Sequence, residues 1–232
     1  MYRSFLLTMG LSMLALSAEA QITEGTKLLG GSVGYTRSTT TATYGNPSLP
    51  AVLREQEYTN RNLSISPQVG LFIADNVAAG LSVGYTSRKQ TSPYYTGPAP
   101  DLYQRSVTGN SFRVAPYLRY YYMPTATFGV FGHLIASYDK WSDKYTDNAP
   151  GTSVGENQGH NIGLSIIPTM VFFPVEKVGL ELAFGSIGYN RGSSTSGSSI
   201  PNGFEDKNVG SSFGANFGFN QLTLGASYYL SR

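Results

Sequence analysis

The chain has 232 residues, a net charge of +2, 13% charged residues and no cysteine. One domain accommodates that length, and the near-neutral charge without any basic run excludes a nucleic-acid partner. The missing cysteines exclude structural disulfides, thiolate zinc sites and a lipoprotein anchor.

Residues 1–20 differ from everything that follows. Arg3 precedes an apolar stretch from Phe5 to Leu16, and Ala18-Glu19-Ala20 supplies small-x-small cleavage chemistry before Gln21. A stretch of twelve residues is too short for a membrane helix, which needs roughly 20. The segment is expected to be a signal peptide, leaving 21–232 as one β-barrel domain.

Beyond it the recurring period is two, the mark of strands with one apolar face. Leu63, Ile65, Val69, Leu71 and Ile73 alternate with Asn62, Ser64, Ser66, Gln68 and Gly70. The run from Val77 to Thr86 repeats this, as do Phe112 to Tyr122, Phe128 to Asp139 and Ile162 to Phe172. Runs of this length suit tilted membrane strands. The second face carries Gly, Ser, Thr and Asn with few charges, which fills a narrow polar lumen better than it solvates an exterior.

Three connections are short: 74–76, 123–126 and 174–177. Four are long and polar: 39–57, 89–108, 141–158 and 191–208. Short turns alternating with long loops predict an all-β, closed antiparallel transmembrane barrel of about eight strands, its turns periplasmic and its loops extracellular. Near the C-terminus the apolar phase changes from Phe213, Ala215 and Phe217 to Leu222, Leu224 and Tyr228. A bulge in one long final strand accounts for that better than a turn would.

Tyr35, Tyr85, Tyr138 and Tyr189 recur at intervals near fifty residues, each closely followed by Arg37, Arg88, Lys140 or Arg191. An aromatic ring with a cation just above it fits the interface of an anionic leaflet. With the Ala18-Glu19-Ala20-Gln21 junction, the Ser32-Val33-Gly34-Tyr35 type of strand ending and the closing Leu222 to Leu230 segment, the chain resembles small eight-stranded outer-membrane barrels. The resemblance is strongest to the outer-membrane β-barrel domain common in Bacteroidetes. It implies residence in the bacterial outer membrane, contact with lipid, lipopolysaccharide and the barrel assembly machinery, and no shared catalytic activity. The chain departs from such barrels in ending Leu230-Ser231-Arg232 rather than in an aromatic.

No catalytic, cofactor or metal motif stands out. His133 falls on the luminal phase and His160 on the outward one. Asp139, Asp143, Asp147 and Glu156 lack the spacing of a calcium loop. The informative charges are Arg113, Arg119 and Glu181, all on luminal phases. An eight-stranded lumen is just wide enough for side chains, and buried charges there need partners. We therefore expect a structural network of these three, with Gln68, Tyr117 and Tyr121, as a polar plug. The first functional expectation is a non-enzymatic surface barrel presenting its loops for adhesion, envelope integrity or partner binding. A small channel or ligand-passing pore is second, and a lipid-A-modifying enzyme third.

The leader reading has a direct check. Mass spectrometry of outer-membrane fractions should find a mature N-terminus at Gln21, and an intact Met1 there would contradict it.

Overall fold

The computed structural model describes residues 21–44, 54–96, 101–148, 155–198, 206–219 and 222–230. The expected signal peptide, residues 1–20, lies outside them. Ten antiparallel strands follow one another: β1 (Lys27–Tyr44), β2 (Arg54–Ala74), β3 (Val77–Thr96), β4 (Asp101–Tyr122), β5 (Phe128–Asp147), β6 (Gly155–Val175), β7 (Val178–Ala183), β8 (Gly185–Ser198), β9 (Asp206–Phe217) and β10 (Thr223–Leu230).

These ten make eight staves. β7 and β8 both pair with β6, at successive heights, so they are one interrupted stave. β10 pairs with β7 while β9 pairs with β8, so they run in the same direction and form the last stave. The ring closes where Lys27–Gly31 of β1 meets Ala226–Leu230 of β10. The expected all-β, closed, eight-staved antiparallel barrel is what the chain forms, with the expected irregularity in its final stave. Asn220 and Gln221, between Phe217 and Leu222 where the apolar phase changes, lie outside the described residues.

A second phase change was not anticipated. Glu181 faces inward on β7, but Asn190 and Gly192 face inward on β8, so the inward positions pass from odd to even. The step falls at Gly185, whose φ is +139°. A side chain there would also meet Phe217, whose Cα would lie 2.8 Å from the added Cβ.

The base is made by short turns. Asn76 takes the left-handed conformation (φ +62°) in the β2–β3 turn, which an asparagine tolerates better than most residues. Its side chain accepts a hydrogen bond from the Ile22 N–H at 2.9 Å, and its N–H donates to the Ile22 carbonyl, also at 2.9 Å. Residues 21–26 are thereby tied across the base, with Ile22 and Thr26 buried.

At the opposite end the polar stretches taken for long loops are mostly strand. β1 to β6 each run 18 to 22 residues, and residues 45–53, 97–100, 149–154 and 199–205 lie outside the description. The four excursions exist as hairpin ribbons. Their Ser, Thr and Tyr content reads as loop by polarity, yet Thr and Tyr also favour strands.

The outward face is apolar between two aromatic girdles. Tyr122 and Phe128 lie near the base and Phe112 and Tyr138 higher, all exposed. They are ten residues apart on both β4 and β5. That is about 33 Å along a strand and about 25 Å after a 40° tilt, the height of the apolar band of outer-membrane barrels. Leu71 and Leu118 lie between the girdles and point outward. Leu71→Arg and Leu118→Arg should each cost about 2–4 kcal/mol near the middle of the band, read by denaturant unfolding from lipid vesicles. Equal tolerance of Ser66→Arg and Leu71→Arg would turn the assignment inside out.

Candidate functional site: a plugged base and a polar cup

Inward side chains divide the lumen into two zones. The lower zone is solid. Leu28, Phe72, Tyr121, Phe131, Val171 and Tyr229 pack there at no more than 3% exposure. Tyr121 lies 5.3 Å from Phe72 and 4.6 Å from Phe131, ring centre to ring centre. Glycines give the larger rings room. Tyr117 crosses the wall over Gly70 and Gly80, where added Cβ atoms would collide with its phenol. The plug is therefore largely aromatic and apolar, a correction to the expected polar filling. Next to the outward girdle rings of the base, the inward rings of Phe72, Tyr121, Phe131 and Tyr229 close the bore with few polar groups to satisfy.

One ion pair is set into it. Arg119, 1% exposed, donates from Nη1 to Glu181 Oε1 at 2.9 Å. Nη1 also donates to the Tyr121 hydroxyl at 3.2 Å, and Nη2 donates to Gln68 Oε1 at 3.2 Å. The Ser227 hydroxyl donates to the same Glu181 oxygen at 2.5 Å. The guanidinium carbon stands 4.7 Å from the Phe131 ring centre and 5.2 Å from that of Tyr117. Hydrogen bonds and ring faces together offset much of the cost of burying the cation.

Arg113 does not belong to this group. Six residues back along β4 toward the ribbon end, about 20 Å at 3.3 Å per residue, it pairs with Asp139 of β5 at 2.5 Å. The expectation of one three-membered network is corrected to two separate pairs. Alternation assigns both arginines to the lumen but says nothing about their difference in height.

Above the plug the lumen opens into a cup of about 930 Å³, lined by asparagine, serine, glycine and charged side chains and by Trp141. Sequence reasoning missed it because part of its wall, Trp141, Asp143, Gly192, Ser193, Ser194 and Asn208, was assigned to loops. Arg113 faces Asp139 directly across β4 and β5. Two rungs higher Arg88 of β3 reaches over Gly109 to Asp143 and forms a bidentate pair. An added Cβ on Gly109 would lie 2.6 Å from Arg88 Nε. Higher again Arg105 meets Asp147 at 3.4 Å, and Ser142 donates to Glu156 at 2.8 Å. The four acids considered for calcium are thus held by arginines and a serine. A sequence signal for this existed in the constant β4–β5 register, once the strands are extended far enough.

His133 stands edge-on to Tyr117 at 4.9 Å in the lumen. His160 faces outward and stacks on Tyr138 at 6.1 Å in the upper girdle.

No family model matches the chain, and no curated protein matches it either. Among solved structures, a major outer membrane protein from Thermus thermophilus aligns at 14% identity and a TM-score of 0.41, covering 88% of this chain and 99% of that one. The architecture described here rests on the chain's own strand pairing.

The buried pair yields a prediction. Glu181→Ala should destabilise the barrel by about 3–5 kcal/mol, since Arg119 would keep its charge without a counter-ion. Arg119→Met with Glu181→Leu should cost far less. Equal losses for single and double variants, measured in one folding assay, would show that the pair is not coupled.

Proposed function

We propose that this chain is a non-enzymatic outer-membrane barrel with a blocked base, which meets ligands or partners through its outward cup and ribbons. The plug carries the reading. Phe72, Tyr121, Phe131, Val171 and Tyr229 sit across the bore at 3% exposure or less, with Arg119 bound among them, so the described residues fill the bore at that height.

Membrane residence draws on the two girdles, their spacing, and the apolar outward face between them. Orientation draws on the short turns at one end and the ribbons at the other, with the turns periplasmic as outer-membrane barrels have them. Kinship with the Bacteroidetes barrel domain rests on strand endings and the closing segment. Adhesion, envelope integrity and partner binding all use the surface above the plug, as would contact with lipopolysaccharide. The barrel assembly machinery enters as the route of insertion for any such barrel.

The runner-up, a small channel, predicts conductance. In planar bilayers the reconstituted protein should give no resolved single-channel steps. Tyr121→Ala combined with Phe131→Ala, which removes two stacked rings from the plug, should produce them. Steps of uniform size from the unaltered protein would favour the channel and overturn the blocked base.

A further inference from the structure

The cup is polar where the outward face below it is apolar. We propose that it is a saccharide-binding site, with Trp141 as its stacking platform. The inference rests on the blocked-base reading, because a plugged lumen turns the upper bore into a blind site.

Trp141 is the only tryptophan of the chain. It faces inward from β5, between Asp139 one rung below and Asp143 one rung above. Its six-membered ring lies against the wall at Gly159, where an added Cβ would come within 2.6 Å of Cζ2 and 2.8 Å of Cε2. The Cζ2–Cε2 side of the indole is thus against the wall, and the side chain lines the cup. The plug rings pack on one another, whereas among the described residues no aromatic ring packs on Trp141. A large apolar surface held on a polar wall is poorly used by water alone.

The surrounding groups fit a neutral, hydroxyl-rich ligand. Asn62, Asn161, Asn190 and Asn208 line the cup, and each amide offers donors and an acceptor together. The Arg113–Asp139 and Arg88–Asp143 pairs cancel in charge, while their carboxylates keep lone pairs for hydroxyl groups. An anion would ask for unpaired cations, and an acyl chain for an apolar wall. A pyranose offers an apolar C–H face to the indole and hydroxyls around its rim. About 930 Å³ falls within the roughly 300–1,000 Å³ usual for small-ligand sites.

The cup has two approaches. Among the described residues one lies at the ribbon end and the other at the side. Among the described residues, β1 above Gly31 pairs only with β2, and β9 pairs only with β8. A seam therefore runs up one side from the level of Ser32, and every residue of β9 is exposed. A soluble sugar would enter from above, and a glycolipid headgroup could slide in along the seam with its chains left in the bilayer.

Because the chain has one tryptophan, its fluorescence reports this site alone. The full barrel in phosphatidylcholine nanodiscs would be titrated with maltohexaose, cellohexaose and chitohexaose, and prepared separately with digalactosyldiacylglycerol in the disc. A saturable shift of emission in the first arm identifies a soluble saccharide, and in the second alone a glycolipid headgroup. Calorimetry should then show Trp141→Phe within a few-fold of the unaltered protein and Trp141→Ala weaker by about tenfold or more. Heat-modifiable electrophoretic mobility shows that each variant has folded. Silence in both arms overturns the proposal, as does a response to inositol hexakisphosphate without one to the sugars. Bilayer recordings separate the two failures. Sugar silence with a closed bilayer removes only the saccharide assignment, whereas conductance steps remove the blocked base whatever the fluorescence shows.

Discussion

Backbone hydrogen bonding across a closed ring governs this molecule. A wall that faces hydrocarbon has no water to satisfy its N–H and C=O groups, so each must find a partner in a neighbouring stave. Eight staves satisfy that demand with a bore only as wide as side chains. Everything inside follows from the narrowness. Where inward positions carry rings, as at Phe72, Tyr121, Phe131 and Tyr229, the bore is full. Where they carry asparagine, serine and glycine, it is a cup.

Glycine decides where the large inward side chains lie. Tyr117 lies flat over Gly70 and Gly80, and its hydroxyl donates to the Val69 carbonyl at 3.1 Å. Arg88 crosses to Asp143 because Gly109 leaves the intervening stave bare. Trp141 rests against Gly159 in the same manner. Each glycine gives up some strand stability and allows a side chain to reach past its own neighbour. The cup thus owes its ion pairs to empty positions as much as to charged ones.

Alternation in the sequence was enough to find the face of nearly every wall residue, because period two is rigid along a stave. Leu71, Leu118 and Tyr138 point out, while Gln68, Arg119 and Glu181 point in. Height was less legible. Arg113 and Arg119 share a face and were grouped, yet cross-strand register gives Asp139 to one, and the fold gives Glu181 to the other. Extent was misjudged for a different reason. Thr39 to Ala42 and Arg105 to Thr108 have loop-like polarity but stay paired, since a hairpin above the apolar band needs no apolar face to keep its hydrogen bonds. The cup was invisible for the same reason, with Trp141, Asp143 and Asn208 all assigned to loops.

The two phase changes act together on the shape of the upper barrel. Between the pairs Ala183–Thr223 and Gly185–Phe217 the seventh stave advances two residues while the last retreats six. The last stave therefore carries four more residues than the seventh over the same interval. Below this point β10 lies against β1, and above it β9 follows β8 instead. Extra chain in one stave cannot be absorbed by a straight ladder, so β9 leaves the edge of β1 and the wall parts. The irregularity that the sequence records as a shift of apolar phase, Phe217 on one side and Leu222 on the other, is thus what gives the cup its open flank. The unpaired edges this creates between the girdles would be costly against hydrocarbon. They are bearable where they border the polar cup, which can bring water or a hydroxyl-rich ligand to the same backbone groups.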